Sequence, residues 1–177
     1  MKKLQIGIIG SAGVEEYPKN GKPSKQIFEI AYQLGQLVAK NNAILITGGK
    51  SGIMETAAKG AKDAGGTTVG VVKGEKRFTS NKYTDIEVIT GMVGSGGESI
   101  MILMCDGIIG VGGGSGTLQE LTIAYYNKIP TVLLNTQEGW SKTLAGKYMD
   151  TRKKIKFELA KTPEKAVKIL LEKLKNL

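Results

Sequence analysis

The segment Asp106-Gly-Ile-Ile-Gly-Val-Gly-Gly-Gly-Ser-Gly-Thr-Leu-Gln-Glu120 reads as an apolar strand that runs through a glycine turn into a helix. At a helix start the first backbone N–H groups lack intrahelical acceptors and the helix dipole adds positive potential, so such a turn suits a phosphate. Gly112, Gly113, Gly114 and Gly116 admit an anion without an intervening side chain, and the hydroxyls of Ser115 and Thr117 add donors. Glu120 has two readings. In Thr117-x-x-Glu120 it completes a capping box and serves only the helix end; alternatively its carboxylate accepts hydrogen bonds from a sugar or a base.

A second turn, Thr47-Gly48-Gly49-Lys50-Ser51-Gly52-Ile53-Met54-Glu55, repeats the arrangement, and Ser11, just past the first apolar run, joins it as a candidate ligand contact. Gly48, Gly49, Gly52, Met54 and Glu55 are the candidates on this turn. Neither turn is a standard nucleotide motif. A P-loop needs glycine five residues before Gly49, where Ile44 stands, and the dinucleotide fingerprint fails at Thr117. An NAD-type oxidoreductase is thereby disfavoured. Histidine is absent, which removes Ser-His-Asp hydrolysis and histidine-bound zinc; no metal site is expected.

These turns need a parallel sheet to hold them. Short apolar runs at Leu4 to Ile9, Ala43 to Thr47, Thr67 to Val72, Glu87 to Thr90, Gly107 to Val111 and Thr131 to Asn135 alternate with segments of helical period. Ile27, Ala31, Leu34 and Val38 mark one helix, with Ser24 as its N-cap; others are expected over Ile53 to Ala64, Glu98 to Met104 and Leu118 to Asn127. Thr162-Pro163-Glu164 starts a last helix through Leu174. The polar stretch Lys73 to Thr84 reads as a mobile loop at the edge of the site. The expectation is one α/β domain over residues 1–177, a Rossmann-like three-layer fold with a mostly parallel central sheet of six to seven strands.

The 25 glycines cluster at the ends of apolar runs, as tight turns near a ligand require. One cysteine, Cys105, excludes an internal disulfide and reads as a packed thiol. No apolar run is long enough for a membrane span, and a cytoplasmic location is expected.

In these residues the chain resembles a family. Gly113-Gly114-Ser115-Gly116-Thr117-x-x-Glu120 is similar to the GG-x-GT-x-x-E signature of the LOG (Lonely Guy) and molybdenum cofactor carrier superfamily. Gly48-Gly49-x-x-Gly52-Ile53-Met54-Glu55 resembles its second glycine turn and Gly65-Gly66-x-x-Val69-Gly70-Val71 its third strand. Together these span residues 4 to 135. The resemblance implies a small-molecule phosphate ligand, either a molybdenum cofactor or a nucleoside monophosphate, with no cofactor required, and a homodimer or homotetramer; it does not imply lysine decarboxylation, a label the family often carries. Two departures stand out. LOG enzymes have proline where Gly112 stands, and an arginine before the signature strand where Gly97-Glu98-Ser99-Ile100-Met101 has none. Ser99 cannot supply the forked charge of a guanidinium, which favours the carrier-like branch. The alternative is a nucleoside 5′-monophosphate phosphoribohydrolase with Glu120 and Glu98 as catalytic residues; a third reading is nucleic-acid binding like that of DNA-processing protein A.

The third reading draws on charge. The chain carries a formal +9, and from Trp140 onward eleven Lys or Arg face four Asp or Glu. Only two arginines occur in the chain and few aromatics interleave with the lysines in sequence, so a solvated lysine-rich face is the expected role. Single-stranded DNA should bind weakly and lose its affinity steeply with added salt, checked by fluorescence anisotropy of a labelled oligonucleotide.

Overall fold

The computed structural model describes residues 2–11, 25–94, 96–135 and 139–175. Seven parallel strands form one sheet in the order β4-β3-β2-β1-β5-β6-β7. They are β1 (Gln5–Gly10), β2 (Ile44–Thr47), β3 (Thr67–Val72), β4 (Ile86–Ile89), β5 (Gly107–Val111), β6 (Thr131–Leu134) and β7 (Glu158–Ala160). The first six match the apolar runs to within a residue or so at each end. β7 was not anticipated, because three residues inside a lysine-rich segment show no apolar run.

Helices α1 (Lys25–Lys40), α2 (Ile53–Asp63) and α6 (Pro163–Leu174) cover one face of the sheet, while α3 (Gly97–Leu103), α4 (Ser115–Tyr126) and the short α5 (Trp140–Leu144) cover the other. This is the expected three-layer Rossmann-like fold, with a sheet that is parallel throughout. The apolar stripe of α1 points inward through Ile27, Ile30, Ala31, Leu34 and Val38, all buried. Ser24, its expected cap, lies outside the described residues. The expected start of α6 is present: the Thr162 hydroxyl accepts from Lys165 N–H at 3.3 Å, with Pro163 in the first turn. No helix among the described residues is long and apolar enough to cross a membrane.

Strand order reverses between β1 and β5, and a cleft opens at the carboxyl ends of strands at such a switch point. Here Gly10 pairs in register with Val111, and the turns after β2 and β5 flank the cleft. α5, five residues long, was also missed from sequence. Its backbone N–H groups of Trp140 and Ser141 donate to the carbonyls of Gly113 and Gly112, each at 3.0 Å, so α5 braces the signature turn from outside.

The stretch 73–84, expected to be a free loop, is tied down along its length. The Glu87 carboxylate accepts from the N–H groups of Phe78, Thr79 and Ser80 at 2.6, 2.7 and 2.9 Å, and Asn81 N–H donates to the Gly49 carbonyl at 2.7 Å. The basic C-terminal segment also differs from its linear reading. Lys154 Nζ lies 3.6 Å from the Tyr126 ring centroid, with Arg152 at 5.9 Å, and Lys153 lies 6.0 Å from Tyr148. Tyr126 comes from α4, distant in sequence, while Tyr148 is a near neighbour in the segment itself, so one of the two rings is brought to these cations by the fold. Cys105 is a packed thiol, as expected: its S–H donates to the Met101 carbonyl at 3.2 Å, and burial pushes its pKa up to about 12.

α1 and α2 approach backbone to backbone. A Cβ on Gly35 would overlap the carbonyl oxygen of Ala57, and one on Gly60 would overlap that of Tyr32. Gly35→Ala should therefore destabilise the fold by about 1–3 kcal/mol despite alanine's better helix propensity, because overpacking outweighs a gain of about 1 kcal/mol. A lower urea midpoint with an unchanged m-value is the expected reading.

Candidate functional site

A cavity of about 320 Å³ lies over the carboxyl ends of β1, β2, β3 and β5. Its apolar wall comes from Ile8, Ile9, Val71, Met54 and Met101, and its polar lining includes Lys50, Lys73, Glu98, Thr117 and Glu120. The two glycine turns, distant in sequence, contribute Gly48 from one side and Gly116 from the other.

The turn after β5 is built by different glycines for different reasons. Gly112 and Gly113 have φ of 64° and 93°, the left-handed region, and a Cβ on Gly113 would collide with the Thr117 side chain. These two are needed by the fold. Gly114 and Gly116 have no such need: neither has a positive φ, and a Cβ on either meets nothing within 4 Å. Both are exposed, at the start of α4, where the N–H groups of the first turn lack intrahelical acceptors. Gly113 N–H is already engaged, donating to the Ser11 hydroxyl at 3.0 Å. Ser11, buried, thus acts first on the turn, and its carbonyl accepts from Ile53 N–H at 3.2 Å, linking β1 to α2.

The capping-box reading of Glu120 is overturned. α4 begins at Ser115, three residues earlier than expected, with Gly114 as N-cap and no side-chain cap bond. Glu120 therefore lies in the second turn, facing the cavity. Burial, with the negative charge of Glu98 added, pushes its pKa from the ordinary 4.5 up to about 8, the opposing pull of Lys73 being smaller. In its protonated form it can donate a hydrogen bond.

Glu98, at the start of α3, is 8% exposed. Its Oε1 accepts from Lys73 Nζ, while its Oε2 is buried without a partner. Lys73 projects from just beyond β3. Sequence reading missed this cation beside α3 because Lys73 looked like the first residue of a loop. Lys50 Nζ donates to the Thr79 carbonyl at 3.2 Å at the cavity's other side.

On the second turn, Gly49 and Gly52 have φ of 68° and 74°. Gly49 N–H donates to the Thr47 hydroxyl at 3.1 Å, and a Cβ on Gly49 would lie 2.8 Å from Val72 Cγ1, so this glycine serves the packing. A Cβ on Gly48 would lie 2.9 Å from Met54 Sδ and 3.9 Å from Met101 Sδ, which places both thioethers beside the same wall. Gly48 and Met54 line the cavity; Gly49, Gly52 and Glu55 do not, although Gly52 and Glu55 sit at the adjoining start of α2. Met101, Ile8, Ile9 and Val71 were not singled out from sequence, since apolar residues at these positions read as core. No cluster of three or more candidate metal ligands occurs among the described residues.

The Glu120 environment has a measurable consequence. Unfolded, the carboxyl loses its proton near pH 4.5; folded, it keeps it to about pH 8, so in that window the folded state binds more protons and stability falls as pH rises. Glu120→Gln removes this loss. The variant should melt above wild type at about pH 8, and the difference should vanish below about pH 4.5, followed by thermal denaturation across that range.

Comparison with known proteins agrees with this architecture. The SLOG cluster4 family matches residues 3–167. The cytokinin riboside 5′-monophosphate phosphoribohydrolase of Rhodococcoides fascians is 32% identical over 131 residues, covering 66% of this chain and 64% of that protein. The molybdenum cofactor binding protein of Rippkaea orientalis superposes with a TM-score of 0.82 at 30% identity, covering 98% of this chain and 99% of that one. The molybdenum cofactor carrier protein of Chlamydomonas reinhardtii does so with 0.81 at 30%, covering 99% and 100%. DNA processing protein A of Helicobacter pylori, with 0.66 at 17% identity over 96% and 81%, shares the fold alone. With the signature turns, the sheet order and these matches in agreement, the chain belongs to the SLOG cluster4 family, within the LOG and molybdenum cofactor carrier superfamily.

Proposed function

We propose that this protein binds a phosphate-containing small molecule of the molybdopterin or nucleotide type, as a carrier. The observation that carries the reading is the pair Gly114 and Gly116. Glycine inside a helix costs stability unless a conformation or a close neighbour requires it, and at Gly116 neither does; Gly114 is the N-cap, where glycine is tolerated. Together they leave the N–H groups of the first turn of α4 open to the approach of an anion. Ser115 and Thr117 stand beside it as hydroxyl donors. The ligand's ring would extend into the cavity over Gly48, against Met54 and Met101, whose thioethers adapt to flat surfaces.

A molybdenum cofactor fits this donor set through its phosphate and its pterin ring. When bound, it would supply the metal's redox chemistry to whichever enzyme receives it; the residues here hold the phosphate, enclose the ring and exclude water. The similarity to molybdenum cofactor binding and carrier proteins along nearly the full chain supports this choice.

One observation favours the second reading, a nucleoside 5′-monophosphate phosphoribohydrolase. Glu120, protonated to about pH 8, beside the Lys73-paired Glu98 supplies a neutral acid and a carboxylate in one cavity, the pairing that glycosidic cleavage uses. The relative in Rhodococcoides fascians points the same way. Against it stands the absent arginine, and one missing electrostatic group typically costs on the order of a hundredfold to a thousandfold in rate.

Gly114→Val should abolish binding of phosphate and nucleotide, measured by calorimetry, while the circular dichroism spectrum stays near wild type, since its Cβ has open space, and the melting temperature falls only by the loss of a favourable N-cap, about 1 kcal/mol. Unchanged affinity would remove the site. In parallel, AMP, GMP, CMP and a cytokinin monophosphate should yield no steady release of free base by chromatography; release that is lost in Glu120→Ala would make the protein an enzyme.

A further inference from the structure

Glu98 lines the cavity, and its Oε2 is a buried acceptor with no partner. A buried polar atom left unpaired is costly, and in a native structure it marks a place where a donor arrives. The side chain is fixed for such a role. Its backbone is in the first turn of α3, and its Oε1 is held by Lys73. Lys73 also balances the charge, so a carboxylate can remain in this wall. Glu120, neutral below about pH 8, is not a competing anion there.

We infer that Glu98 selects the ligand's ring: a heterocycle whose edge carries adjacent N–H and amino donors, the 2-amino-4-oxopyrimidine edge shared by guanine and pterins, binds with that edge against the Glu98 carboxylate. This rests on the phosphate-binding reading and names the class of ring that goes with the phosphate. The free Oε2 takes one donor, and Oε1, which keeps a second lone pair beside Lys73, takes the other. Adenine and cytosine present a ring nitrogen lone pair next to their amino group, which sets acceptor against acceptor. Met54 and Met101 offer a ring one apolar wall that does not distinguish among bases, so discrimination falls to Glu98.

The test is calorimetry on the full chain near neutral pH with GMP, IMP, AMP and inorganic phosphate. GMP should bind on the order of tenfold or more tightly than AMP, because a site built around a hydrogen bond rejects the ligand that cannot make it. IMP, which keeps the ring N–H and lacks the amino group, should fall between them. Glu98→Gln, which turns one acceptor into a donor, should bring GMP down to the level of AMP while inorganic phosphate binds as before. Equal affinities of the three nucleotides for wild type, or a GMP preference that survives in Glu98→Gln, overturn the role of Glu98 and leave the phosphate site standing. Failure of all four probes to bind overturns both. The wild-type series decides the question even where the variant does not fold.

Discussion

The site depends on how the carbonyls of the signature turn are satisfied. Gly112 and Gly113 direct their C=O groups outward to the N–H groups of α5, and Gly113 gives its own N–H to Ser11. Those bonds fix the turn without using the N–H groups at the start of α4. Gly112 and Gly113 therefore serve the geometry of the turn, whereas Gly114 and Gly116 have neither a positive φ nor a crowding neighbour, although all four look alike in the sequence.

The electrostatics of the cavity follow a second compensation. A buried carboxylate without a cation would neutralise itself. Lys73, entering from beyond β3, pairs with Glu98, while burial first and the charge of Glu98 second push the pKa of Glu120 up. Their surroundings divide the two carboxyls, one held by a lysine and the other pressed by burial. A LOG-type arginine would have changed this division, since a guanidinium fork can engage two acceptors at once.

Much of the sheet was legible because five of its strands are buried and apolar, and such runs, closed by glycine, stand out. β7 and α5 were not, for a physical reason: Glu158–Ala160 and Trp140–Leu144 are too short to show a period and are held by pairing with β6 and by bonds to Gly112 and Gly113. The signature turn and its helix were readable, but the start of α4 was placed three residues late, since the sequence cannot show whether glycine and serine end a turn or begin a helix. That error produced the capping box. Lys73 was missed because the pairing of residues 73 and 98 is tertiary, whereas Gly48 and Met54 could be found from motif spacing alone.

α4 is also held at its far end. The Tyr125 hydroxyl donates to Asp150 and accepts from the Lys154 N–H, fastening the helix to the basic segment. A helix anchored at both termini resists tilting and sliding, so the direction of its dipole at the cavity is set by the fold. The entropy of ordering this helix is lost during folding, and the basic segment contributes to the rigidity of a cavity on the other end of the same helix.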